Sequence, residues 1–532
     1  MTGKAQNQSK PKIKRDHEIS KYHEKALKTV AKGAGIAFMG LLLGKLFAYL
    51  TRIFIARTLG PEDYGLISIG IAIISILTTF SLLGLNSGLT RFIAFYMGKR
   101  DLGKVKGSLL SSFKITLPIS IIFSILLFLF SEQVALFFSK PDLVPLIQIF
   151  SFVLPFSVIM NLSDSSLLGF KLIKQKVYTV EIGKNLSTFL LVVIFFYFGF
   201  NLLGAVLGFT LGIVISSLIG LYYLRDNILH YLIRIKAIYI NKEIFSFSWP
   251  LILVAFLSIF MSWTGILILS YFDTAVNVGL YQASLDTCVL LTFISSAFSF
   301  IVTPIISELY SQKKIKEIRK IYKTTNRWIF LIVFPLFLIL VLFPDKVLEI
   351  MFGREFVSGS FILILLSIGY FFNVIFGIST NLILSIGKTK INFYIASIAA
   401  TSNLFLSLIL IPIYGTIGAA IVMLISMILW SLLPFLYINK KIGIQPFDKN
   451  YIKPLFTSLV LLFFIYFILK SFFNYNIFFI YFIGFLIFMI FYGLSLLLTK
   501  SLTKDDVLIL KFIERKTGLR ITWLREFIKR FY

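Results

Sequence analysis

Stretch after stretch of roughly 20–27 apolar residues, parted by short polar breaks, dominates this chain and is enough to span a hydrocarbon core of about 30 Å at ~1.5 Å per helical residue. A backbone inside lipid must satisfy its own N–H and C=O groups, which leaves helices or a closed barrel. The stretches lack period-2 alternation, whereas barrel strands would show alternating runs of about ten residues. Composition agrees. Over 532 residues, 58% are hydrophobic and 14% charged, against about 45–50% and about 25% in soluble chains. The fold class is therefore an all-α polytopic membrane protein.

Fourteen transmembrane helices are predicted, near 33–59, 64–96, 107–130, 143–169, 177–199, 202–224, 244–270, 278–306, 326–343, 357–386, 391–412, 415–438, 452–470 and 475–499. Lysines and arginines test that division, because they collect in cytoplasmic loops. With the N-terminus inside, 42 fall in inner segments, five in outer ones and five within spans. An even number of spans and two cytoplasmic termini follow. A multi-pass protein of the cell (plasma) membrane is expected.

The first six spans recur at a shift of 214 residues. Gly65-Leu66 falls on Gly279-Leu280, Tyr96 on Tyr310, Lys99-Arg100 on Lys313-Lys314, Lys106 on Lys320, and Gly204-Ala205 on Gly418-Ala419. Six is even, so both copies cross in the same sense. They predict two parallel six-helix lobes around a central cavity, plus two C-terminal helices. The expected divisions are a basic cytoplasmic tail at 1–32, an N-terminal lobe at 33–224 and a C-terminal lobe at 244–438. Two additional helices at 452–500 and a cytoplasmic interfacial amphipathic helix at 501–532 complete them.

Several functions are disfavoured. The net charge of +28 belongs to short loops beside spans, not to a folded basic module, so no nucleic-acid partner is expected. Cys288 is the single cysteine, and His17, His23 and His230 lack metal-ligand spacing. No metal, cofactor, catalytic residue or enzyme activity is expected, and no cleavable signal peptide is read at the polar N-terminus.

Leu59-Gly60-Pro61-Glu62-Asp63-Tyr64-Gly65-Leu66, after a span carrying Arg52 and Arg57, resembles the opening of polysaccharide-biosynthesis flippases of the O-antigen type. These belong to the multidrug/oligosaccharidyl-lipid/polysaccharide exporter superfamily. Tyr414-Gly415-Thr416-Ile417-Gly418-Ala419-Ala420 is similar to their other recurring stretch. The resemblance implies translocation of a polyprenyl-linked sugar (di)phosphate between leaflets, with membrane lipids and glycan-assembly enzymes as candidate partners.

Charges inside spans cost about 2.5–3.5 kcal/mol each on insertion scales and need a polar neighbour or a cavity. Lys45, Arg52, Arg91, Lys114 and Lys184 are the basic ones; Asp164, Glu181 and Asp286 are the acidic ones. Lys45, Arg52, Arg91 and Lys184 map by the 214 shift onto Ile259, Ile266, Ile305 and Ile398. A cationic N-terminal wall thus faces a mostly apolar C-terminal one. Arg52, Lys45, Arg91 and Lys184 are candidate ligands for an anionic lipid head; Arg91 and Lys114 also fit snorkelling to headgroups, and Lys184 a pair with Glu181. Asp286 is read as a partner of Arg52 or Lys45 or as an ion-coupling group, and Asp164 as a polar helix contact or coupling group. Two other functions stay open: a cation-coupled drug or metabolite exporter, which needs acidic cavity residues, and a non-transporting envelope-assembly scaffold.

Overall fold

The computed structural model describes residues 10–443, 445 and 490–494. Most of the predicted spans at 452–470 and 475–499, and the interfacial helix at 501–532, lie outside the described residues. Among those described, all regular structure is helical. Nine helices among the described residues are long and apolar enough to cross a membrane, ten if the bent pair Leu143–Ser151 and Val153–Gly169 counts as one span. Two of the nine each contain two arms. The helix Lys10–Leu82 breaks at Gly60, with φ 81° and ψ 178°, and Thr389–Ile442 breaks at Gly415, with φ 53°. Only glycine takes these angles without a Cβ penalty, and Pro61 is preset for the first turn of the following arm.

Neighbouring arms show the alternation of direction. Gly40 packs on Val177 and Gly44 on Glu181, while Phe47 meets Phe189 and Phe54 meets Phe196. The first arm therefore runs parallel to the 173–197 helix. Gly84 packs on Ile252 and Gly88 on Ser248 and Ile244, so the chain after Gly60 runs antiparallel to Asn241–Phe272. The 64–96 span is broken rather than continuous: Leu83 (φ 46°) and Gly84 (φ 63°) separate it from Leu85–Gly98.

The repeat is written in backbone angles as well as residue types. Left-handed turn residues recur in pairs 213 to 216 positions apart: Arg100 and Lys313, Ser139 and Gly353, Lys171 and Gly387, Asn201 and Gly415. The lobes meet through a reciprocal contact. A Cβ on Gly65 would fall on the Ala275 carbonyl oxygen, and one on Gly279 would fall on the Pro61 carbonyl oxygen. Pro61 and Ala275, like Gly65 and Gly279, are 214 apart. Each lobe thus presents the same patch to the other, as across an isologous interface, with glycines admitting backbone-to-backbone approach.

Loop contacts flank this joint at the Gly60 end. Lys140 Nζ donates to the carbonyls of Ser270 (2.5 Å) and Asp273 (2.8 Å), at the C-terminal end of Asn241–Phe272. Arg57 donates to the Ile350 carbonyl at 2.7 Å, at the end of Pro344–Met351. Cations suit helix C-termini, where carbonyls lack helical partners. Burial pulls the Lys140 ammonium below the usual lysine range, with the Asp273 carboxylate opposing that shift.

The glycine joint is testable. Replacing Gly65 or Gly279 by leucine must part the lobes at this end. In a Cys288→Ser background, a cysteine placed at the buried Ser68 should then be labelled several-fold faster by a maleimide. Unchanged labelling would show that the joint does not hold the lobes together.

Candidate functional site

The first arm carries Lys45 and Arg52 seven residues apart, about 10 Å along the axis on one face. Its contact with the 173–197 helix brings a third cation alongside. That helix widens into a π-helix over Val177–Lys184, and Lys184, half-buried, stands between the contacts of Gly44 with Glu181 and of Phe47 with Phe189, beside the segment that carries Lys45 and Arg52. Lys45, Arg52 and Lys184 therefore form one cationic cluster in the N-terminal lobe. Glu181 tempers it without a salt bridge to Lys184 among the described residues.

Arg52 reaches across to the other lobe and forms an ion pair with Asp286. Tyr64, from the arm after Gly60, donates its hydroxyl to the same carboxylate, and Gln282 Nε2 donates to it at 2.9 Å. Asp286 is sealed at 4% exposure, while Arg52 keeps 34%. That difference matters: the carboxylate is satisfied and closed off, but the guanidinium, with five N–H donors, retains several for a ligand. A carboxylate this deep would be costly unless paired and hydrogen-bonded, and it has three partners from three segments.

The other sequence candidates stand apart. Arg91 is exposed on the short helix Leu85–Gly98, its guanidinium 5.7 Å from the Phe92 ring centroid. The neighbouring Thr90 donates to the Ser165 carbonyl at 2.9 Å, which places Arg91 toward the end opposite Gly60. Lys114 is exposed and donates to the Tyr239 hydroxyl at 2.8 Å. Asp164 lies 3.5 Å from Lys176 and is not among the groups around Asp286.

Part of the C-terminal lobe carries hydroxyl and amide side chains that the comparison of charges does not register. Below Asp286 on the helix Ala275–Ser311, the ammonium of Lys45 sits 5.8 Å from the Phe293 ring centroid. Beside it opens a cavity of about 640 Å³. Its walls are Thr292, Ser295, Ser296, Ser299 and Thr303 from this helix, then Asn373, Thr380 and Asn381, with Trp430. The 214 comparison asked only where charges fell, and these side chains carry none. The signal was present as spacing: hydroxyls at 292, 295, 296, 299 and 303 follow a helical period on one face.

The polysaccharide biosynthesis protein model matches residues 30–310, and the MatE model matches residues 250–409. An uncharacterized membrane protein of Methanocaldococcus jannaschii is 25% identical over 81% of this chain and 87% of its own length. A candidate O-antigen transporter of Shigella flexneri is 28% identical, over 76% of this chain and 96% of its own. Among solved structures, the lipid II flippase MurJ in an inward closed conformation superposes with TM-score 0.70 at 18% identity, covering 86% of this chain and 97% of that one. An inward-facing MATE transporter gives TM-score 0.62 at 16% identity, covering 76% and 98%. These two show the same fold. With more than half its length matched, and the Gly60–Leu66 motif forming the joint between its lobes, the chain belongs to the polysaccharide biosynthesis protein family.

Proposed function

We propose that this protein flips a polyprenyl-(di)phosphate-linked oligosaccharide from the inner to the outer leaflet by alternating access, for cell-surface polysaccharide or glycan assembly. The observation that carries this reading is the cluster of Lys45, Arg52 and Lys184, whose approachable guanidinium is held by a carboxylate of the opposite lobe. A lipid diphosphate offers the anionic oxygens that Arg binds in bidentate fashion and that Lys attracts as a point charge. Relatives named for O-antigen transport and glycan flipping support the same substrate class.

The ion pair suggests how binding is coupled to movement. In the arrangement seen here Asp286 occupies Arg52 and ties the lobes. A phosphate entering beside Lys45 competes with that carboxylate for the guanidinium. The lobes are then less firmly tied while the head is bound, and the pair re-forms when the head leaves. An exporter of cations would instead need an available carboxylate, and Asp286 is paired with Arg52, Tyr64 and Gln282.

The orientation follows from charge. Lys99, Arg100, Lys104 and Lys106, with Lys313, Lys314 and Lys316, crowd the loops at the end opposite Gly60, which supports a cytoplasmic position for that end and for both termini. The polyprenyl tail stays in lipid. Glycosyltransferases that complete the head supply the substrate at the cytoplasmic face of the plasma membrane, and polymerising or ligating enzymes consume it outside.

Three outcomes are expected. In proteoliposomes, Arg52→Glu lowers transport about tenfold or more, equivalent to roughly 1.4 kcal/mol on the barrier; an unchanged rate would remove Arg52 from the mechanism. Asp286→Asn, by removing the internal competitor, binds polyprenyl diphosphate several-fold more tightly while turning over more slowly. Weaker binding would reject the exchange. In intact cells of a Cys288→Ser background, Ser139→Cys reacts with an impermeant maleimide, whereas Ser311→Cys reacts only after permeabilisation; the reverse pattern would invert the topology.

A further inference from the structure

The cationic cluster accounts for a phosphate but leaves unused the cavity that adjoins it. That cavity has three properties which together limit its ligand. Its volume, about 640 Å³, lies within the roughly 300–1,000 Å³ of small-molecule sites. Among the described residues, no charged side chain lines it. Its polar groups are poised to exchange hydrogen bonds with hydroxyl and amide groups.

Three of the five lining hydroxyls on the Ala275–Ser311 helix spend their hydrogens on their own backbone. Thr292 donates to the Val289 carbonyl (2.7 Å), Ser295 to Thr292 (3.1 Å) and Thr303 to Ser299 (2.6 Å). Their oxygen lone pairs remain as acceptors. Donors come from the facing wall. Asn381 Nδ2 already serves Ser299 Oγ at 2.7 Å, but Asn373 has no hydrogen bond among the described residues. Thr380 Oγ1 is buried without a partner there. Trp430 adds an aromatic surface to this polar lining.

We propose that this cavity binds the uncharged sugar residues next to the diphosphate, while Lys45, Arg52 and Lys184 hold the phosphates. Acceptor hydroxyls, donor amides and one indole match what a sugar ring offers: O–H donors, O acceptors and an apolar C–H face. The absence of lining charge disfavours an anionic or cationic occupant, since neither would find a counter-charge. Position agrees. Phe293, the residue under the Lys45 ammonium, stands one helical turn from the wall residue Ser296, so the two share adjoining faces of one helix.

The inference rests on the flippase reading, and one binding experiment separates their fates. The full chain in nanodiscs is titrated with farnesyl diphosphate, bare or carrying a neutral disaccharide of N-acetylglucosamine or of mannose. At least one glycosylated probe should bind the unaltered chain about tenfold more tightly than the bare one, a gain of roughly 1.4 kcal/mol. Ser296→Trp, which fills the cavity, and Asn373→Leu, which removes a donor, should each abolish that gain and leave bare-diphosphate binding unchanged. Bare-diphosphate binding also reports that the variants are folded. If sugars add nothing in the unaltered chain, or if both variants weaken bare and glycosylated probes alike, the sugar site is wrong and the flippase reading stands. If no probe binds at all, both fall.

Discussion

The backbone-to-backbone contact of Gly65 on Ala275 and Gly279 on Pro61 fixes where the two lobes can meet. Because each residue faces the repeat-mate of its own neighbour, the contact marks a local two-fold axis. Much else follows from it. It brings the arm after Gly60 against Ala275–Ser311 closely enough for Tyr64 to reach Asp286, and it places Arg52 within reach of the same carboxylate. A larger side chain at either glycine would separate these groups. The polar junction therefore depends on two absent side chains as much as on the charges that form it.

The symmetry is kept in shape and abandoned in chemistry. Lys140 and Arg354 are 214 apart, as are the loops that carry them. Lys140 reaches from its loop to a helix end of the other lobe. In the mirrored contact Arg57, at the helix end, reaches into the opposite loop, while Arg354 turns to Glu349 at 3.2 Å. Donor and acceptor have changed sides, yet a loop still meets a helix end twice. Inside the bundle the divergence goes further. One lobe gathers ammonium and guanidinium groups, and the other gathers hydroxyls and amides. A lipid-linked sugar has the same two-part character, anionic at one end and neutral at the other.

The class of fold and the repeat were legible in the sequence, because hydrophobic length and glycine position record them separately. Arg52 was legible too, since an arginine in a span demands a partner, and Asp286 was one of few available. The hydroxyl-lined cavity was not. Serine and threonine in membrane helices usually bond to their own backbone, so the one-face spacing of Thr292, Ser295 and Thr303 marks a polar stripe but not a cavity until facing helices stand around it. The place of Arg91 was half legible: the sequence left it either in the cavity or snorkelling at the end of its span, and the structure puts it, exposed, on Leu85–Gly98.

The π-helix at Val177–Lys184 has an evolutionary consequence. An α-helix turns about 100° per residue, so loss of one residue within the widened stretch would restore ordinary winding and swing Lys184 around the helix, away from Arg52. The third cation of the cluster would then be lost through a single-codon deletion, with no lysine replaced.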